Sequence, residues 1–112
     1  MSRAAALLTA HPELAVLPEE ARKYSLRGEV LVKEKNLEGA LGEYTSALRA
    51  APFCPSLRYD AALLAAELGK FSQAIMHMNA YLELSPAAPN AREAKDLIYK
   101  WEFMIERGAD KK

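Results

Sequence analysis

The chain is poor in what a β-sheet needs. Among 112 residues there are 3 Val, 3 Ile and 2 Thr. Pleated, half-buried faces are built from such β-branched side chains, so their scarcity argues against sheet. No basic tract exceeds two residues, and fifteen Lys and Arg balance fifteen Asp and Glu. That excludes the clustered cationic footprint of a nucleic-acid binder. No apolar run approaches the ~20 residues of a membrane span. Met1 to Leu8 carries one Arg and a short Ala-Leu run, too short for a signal peptide. A single cysteine, Cys54, cannot form an internal disulfide, which fits a reducing, cytoplasmic setting. It has no His or Lys neighbour in sequence to activate it, and reads as an inert buried or half-buried thiol.

What is abundant is Ala, with 21 residues, and Leu, with 16. Both are strong helix formers, and the expected fold class is all-α. Prolines and glycines divide the chain. Pro18-Glu19-Glu20 reads as a helix start, with acids on the positive dipole end, and that helix runs to about Lys35 before Asn36. Leu37 to Ala50 carries apolar residues at helical spacing. After the Pro52–Pro55 turn, Ser56 is expected to cap a helix over Leu57–Leu68, and Gly69 to end it in a left-handed conformation. Phe71 to Leu84 is the next helix. Asn90 and Glu93 form a capping-box-like pair for a last helix reaching about Gly108.

The stripe Leu37, Ala40, Leu41, Tyr44, Ala47, Leu48, Pro52 returns 34 residues later as Phe71, Ala74, Ile75, Met78, Tyr81, Leu82, Pro86. Every position stays apolar or proline. The unit is therefore a helix, a tight turn, a second helix and a proline-marked turn. The last helix departs from this register. Leu57, Ala61, Leu64 and Leu68 match Ala94, Ile98, Trp101 and Ile105 only at a shift of 37, which implies three extra residues in the Pro86–Asn90 turn.

With that period the chain resembles the tetratricopeptide repeat family. Tyr24, Gly28, Ala40, Tyr44, Ala47 and Pro52 carry the resemblance in one repeat, and Ala62, Gly69, Phe71, Ala74 and Pro86 in the next. Arg27, Arg58 and Tyr81 depart from the pattern, standing where leucine, an aromatic and a small alanine are usual. Tyr81 implies looser or shifted packing. The resemblance implies a right-handed stack of antiparallel helix pairs with a C-terminal capping helix. Residues 1–112 then read as a single domain: a short N-terminal helix and irregular segment (1–17), repeat one (21–54), repeat two (55–88), a capping helix (89–108) and a tail (109–112). Within the first segment, Arg3–Ala10 is either a covering helix or a frayed terminus. The run Tyr81-Leu82-Glu83-Leu84-Ser85-Pro86 resembles bacterial members.

No catalytic constellation, cofactor motif or metal-ligand spacing emerges, so an enzyme is not expected. Met76-His77-Met78 offers thioether and imidazole groups that suit Cu(I), but Met78 belongs to the core stripe, with Met76 and His77 directed elsewhere. The glycines form no phosphate loop, and Gly39 and Gly42 stand inside a helix without an evident reason. In the family, first helices line a concave groove that holds peptides or helices. The corresponding positions here are Arg22, Ser25, Glu29, Val32 and Lys33; Ser56, Tyr59, Asp60, Leu63, Ala66 and Glu67; and Glu93, Asp96, Lys100, Phe103 and Met104. Equally, Leu63 and Ala66 can be buried beneath the last helix, with Tyr59 on the rim. Acids at Glu29 and Asp60, and no cation at Ser25, argue against the family's grip on C-terminal carboxylates. The groove's acids (Glu29, Asp60, Glu67, Glu93, Asp96) outnumber its bases (Arg22, Lys33, Lys100), so a ligand with positive charge beside an apolar anchor is expected. The implied function is non-enzymatic protein–protein interaction with another protein or peptide, and neither nucleic acid nor membrane. The alternative is a self-associating, homodimeric spacer.

Overall fold

A computed structural model describes residues 17–111. The segment expected to hold the Arg3–Ala10 helix lies outside the described residues. Five helices follow in order: α1 (Glu19–Lys33), α2 (Leu37–Ala50), α3 (Pro55–Glu67), α4 (Phe71–Leu84) and α5 (Ala91–Glu106). There is no strand among the described residues. Each helix packs on the next along the chain, and α1 with α2 and α3 with α4 make the closest pairs.

The two kinds of turn have different chemistry. The first, third and fifth helices end alike, each closed by a residue in the left-handed region: Lys35 (φ 63°), Gly69 (φ 79°) and Gly108 (φ 78°). At each end two backbone bonds reach back into the helix, as in Asn36 N–H to Leu31 O (2.9 Å) and Lys70 N–H to Ala65 O (2.8 Å). The second and fourth helices instead end in non-helical residues of negative φ, Ala51 (φ −141°) and Ser85 (φ −140°), each followed by proline. Proline lacks the N–H to continue a helix.

Two boundaries and one cap differ from expectation. α1 stops at Lys33, before the left-handed residue, rather than at Lys35. α3 starts at Pro55, in the first helical position, with Cys54 as the flanking residue; Ser56 is inside the helix and does not cap it. The Cys54 thiol, buried, meets the Ser56 hydroxyl at 3.2 Å. Finally, Asn90 flanks α5 but its side chain makes no cap. Its Oδ1 accepts the Tyr81 hydroxyl instead. By contrast Asn36 does cap α2, accepting from Gly39 N–H at 3.0 Å.

Tyr81 replaces a small residue without loosening the stack. It is fully buried, its ring 5.0 Å from that of Tyr59, tilted by 55°. The longer turn before α5 carries Asn90 to the phenol, so a bulky group at the helix junction gains a polar partner. α5 then turns Ala94, Ile98 and Trp101 into the core, with Ile105 packed at its margin. After Gly108 the chain folds back. Lys111 N–H donates to Gly69 O (2.8 Å), while Asp110 accepts from the Ser72 backbone N–H (2.9 Å) and hydroxyl (2.6 Å). Asp110 thus caps the start of α4, a helix whose own flanking residue, Lys70, supplies no side-chain cap. Residues 109–111, expected as a tail, are a clasp.

The glycines within helices differ sharply. At Gly28 an added methyl would meet the Tyr44 ring at 2.9 Å, so this glycine sets how closely α1 approaches α2. At Gly42 nothing lies within 4 Å. Gly28→Ala should therefore cost about 1–3 kcal/mol through overpacking against a buried ring. Gly42→Ala should stabilise by about 0.5–1 kcal/mol through helix propensity alone. Paired urea titrations check both signs; equal effects would mean the helix contact is not set at Gly28.

Candidate concave site

α1, α3 and α5 share one face, and two hollows lie between them. The first, of about 250 Å³, is walled by Val32 from α1, Tyr44 from α2, and Asp60, Leu63 and Leu64 from α3. The second, of about 420 Å³, is walled by Tyr59 and Leu63 from α3 and by Glu93, Asp96, Leu97 and Lys100 from α5. Leu63, 36% exposed, belongs to both and forms the ridge between them. It is not buried beneath α5. An exposed aliphatic side chain between two hollows is suited to contact an apolar group of a partner.

Among the residues expected to line the groove, Tyr59, Asp60, Leu63, Asp96 and Lys100 come together here, with Val32 and Glu93. Tyr59 is only 8% exposed, its ring packed at a tilt against that of Tyr81, so it serves as wall and not as an open rim. Ser25 is buried, and its hydroxyl donates to Arg22 O (3.0 Å), which turns it onto its own helix. Arg22, Lys33 and Glu67 are exposed on α1 and α3 but wall neither hollow. Tyr44 and Leu64 were not among the expected residues. Tyr44 reads as a core position of α2, but Gly28 leaves room for its ring to reach the floor of the first hollow.

The electrostatics of the first hollow are unusual. Burial pushes the Asp60 carboxyl up to about 6, and the Glu29 carboxylate on α1 pushes it the same way. The Tyr44 phenol is raised to about 12 by burial, by Asp60 and by Glu29. Among the described residues no Lys or Arg nitrogen lies within 4.0 Å of Asp60 or Glu29. In the second hollow the charge is partly compensated, since Arg92 lies 3.7 Å from Asp96 one turn away.

The two arginines that depart from the repeat pattern have work elsewhere. Arg27 pairs with Glu43 (2.8 Å) and lies over the Tyr24 ring. Arg58 donates to Pro52 O (3.2 Å) and meets His77 Nδ1 at 3.2 Å. Arg can only donate, so His77 Nδ1 accepts and the ring is neutral. Burial and the adjacent guanidinium lower His77 to about 4. His77 is thus buried against α3, not directed away from the core, while Met78 is buried on another side and Met76 is exposed. The three side chains do not converge.

No described helix is long and apolar enough to cross a membrane. Neither curated proteins nor solved structures yield a match to the chain. A family model described as tetratricopeptide repeat matches residues 30–99, and this range holds α2, α3 and α4, the left-handed residues Lys35 and Gly69, and the 34-residue stripe. The chain therefore belongs to the tetratricopeptide repeat family, and its fold is the helical repeat of that family.

Proposed function

We propose that the face shared by α1, α3 and α5 binds an extended or helical segment of another protein, by docking and without chemistry. The family as a whole supports a protein-interaction role. The observation that carries this reading is the pair of hollows meeting at the exposed Leu63. A partner laid across α1, α3 and α5 would place an apolar group on that ridge and polar groups against Asp60, Asp96 and Lys100. Apolar contact supplies most of the affinity in such grooves, while charges set orientation and partner choice.

The test is selection of twelve-residue peptides on the full chain, followed by titration on Leu63→Glu. Leu63 is exposed enough that the fold should tolerate the change, which a thermal melt verifies. Binding should weaken about tenfold or more, because a desolvated contact is replaced by a charge. Unchanged binding would place the peptide elsewhere.

A second reading, self-association, is favoured by Tyr99 and Phe103, 57% and 56% exposed on α5. Light scattering across a dilution series separates the two. A dimer dispersed by Phe103→Glu supports self-association, and a monomer at all concentrations removes it.

A further inference from the structure

The hollow between α1 and α3 has a composition that favours one kind of occupant. Its walls are an aliphatic and aromatic sleeve of Val32, Tyr44, Leu63 and Leu64, and its single acidic wall residue is Asp60. We propose that this hollow is a specificity pocket for one lysine or arginine side chain of the partner segment. This rests on the reading of the concave face as a peptide site.

The fit is one of matched parts. A basic side chain has an apolar stem of three or four methylenes and a charged head. The stem is accommodated by Val32, Leu63 and Leu64, and the head meets Asp60, with Glu29 on the facing helix adding a second negative charge. An acidic or neutral polar head finds no such complement. Asp60 stands partly desolvated beside a like charge and has no salt-bridge partner among the described residues. A carboxylate in that position is held at a cost to the free protein, and an incoming cation relieves it. The pocket floor is set by Tyr44, which reaches it because residue 28 is glycine. About 250 Å³ admits a single such side chain rather than a stretch of backbone. The second hollow, with Lys100 in its wall and Asp96 paired to Arg92, lacks this one-signed character.

The test uses peptides selected on the full chain. Each is resynthesised with its lysines and arginines replaced one at a time by norleucine, which keeps the stem and removes the charge. One replacement should weaken binding to the wild-type chain about tenfold or more, as expected for loss of a close charge pair. On Asp60→Asn the lysine or arginine peptide and its norleucine twin should bind alike. Asp60→Asn should melt no lower than the wild type at pH 7, so lost discrimination cannot be unfolding. If selected peptides lose affinity on Leu63→Glu but bind equally well with norleucine throughout, the pocket assignment is overturned and the concave site stands. If Leu63→Glu changes nothing, the concave site falls and the pocket falls with it. Discrimination that survives Asp60→Asn also overturns the assignment.

Discussion

Trp101→Ala should lower the melting temperature by more than ~10 °C. Trp101 is 6% exposed, on the face of α5 that also buries Ala94 and Ile98. Truncating a buried aromatic of this size typically costs about 3–5 kcal/mol, part lost transfer energy and part unfilled cavity. A small domain has only about 5–15 kcal/mol in total, and each kcal/mol is worth about 4–8 °C. The effect is large because α5 closes an otherwise open apolar face of α4, as terminal helices in repeat arrays must. Calorimetry checks it. A loss below ~1 kcal/mol would mean that α5 is dispensable to the core.

The second large effect is a pH response hidden in the wild type by cancellation. His77 is held at about 4, below its ordinary 6.5. Between those values the unfolded chain takes up a proton that the fold refuses, so stability falls as pH falls. At pH 5 the loss is about 2 kcal/mol relative to neutral pH. Asp60 acts in the opposite sense. Its folded value is about 6, against 3.8. Below pH 6 the fold accepts a proton while the unfolded carboxyl remains ionised, which stabilises by roughly 1 kcal/mol at pH 5. The two largely offset in the wild type. Asp60→Asn leaves the His77 loss alone, so that variant should be about 1–2 kcal/mol more stable than wild type at pH 7 and lose that margin by pH 5. Urea unfolding of both proteins at the two pH values tests this. Parallel pH profiles would show that Asp60 is not held in its ionised form at a cost.

Much of this was legible in the sequence because the repeat punctuates itself with residues of fixed meaning. Pro52 and Pro86 stop helices by lacking a donor, and Gly69 takes a left-handed angle that favours glycine. α1 ends two residues before its expected place because lysine, not glycine, occupies the equivalent left-handed position at Lys35. Pro55 took the start of α3 from Ser56, since proline is pre-formed for the first helical turn. Asn90 carried a local capping signal, but a buried phenol was the stronger claimant, and local spacing does not reveal a tertiary donor. For the same reason Asp110, 38 residues from Ser72, could not be recognised as a cap. In the site, the resemblance to the family placed Asp60, Leu63, Asp96 and Lys100 on one face. It could not show that Tyr59 was buried by Tyr81, or that Tyr44 crosses from its own helix into the first hollow.

The central claim is that partners bind on the face shared by α1, α3 and α5. Amide chemical-shift mapping of the full chain, titrated with a selected peptide, tests it most directly. Perturbations should concentrate at Glu29, Val32, Asp60, Leu63, Asp96 and Lys100, leaving Arg49, Met76 and Glu83 on α2 and α4 unmoved. Shifts centred on α2 and α4, or on Tyr99 and Phe103 alone, would contradict it.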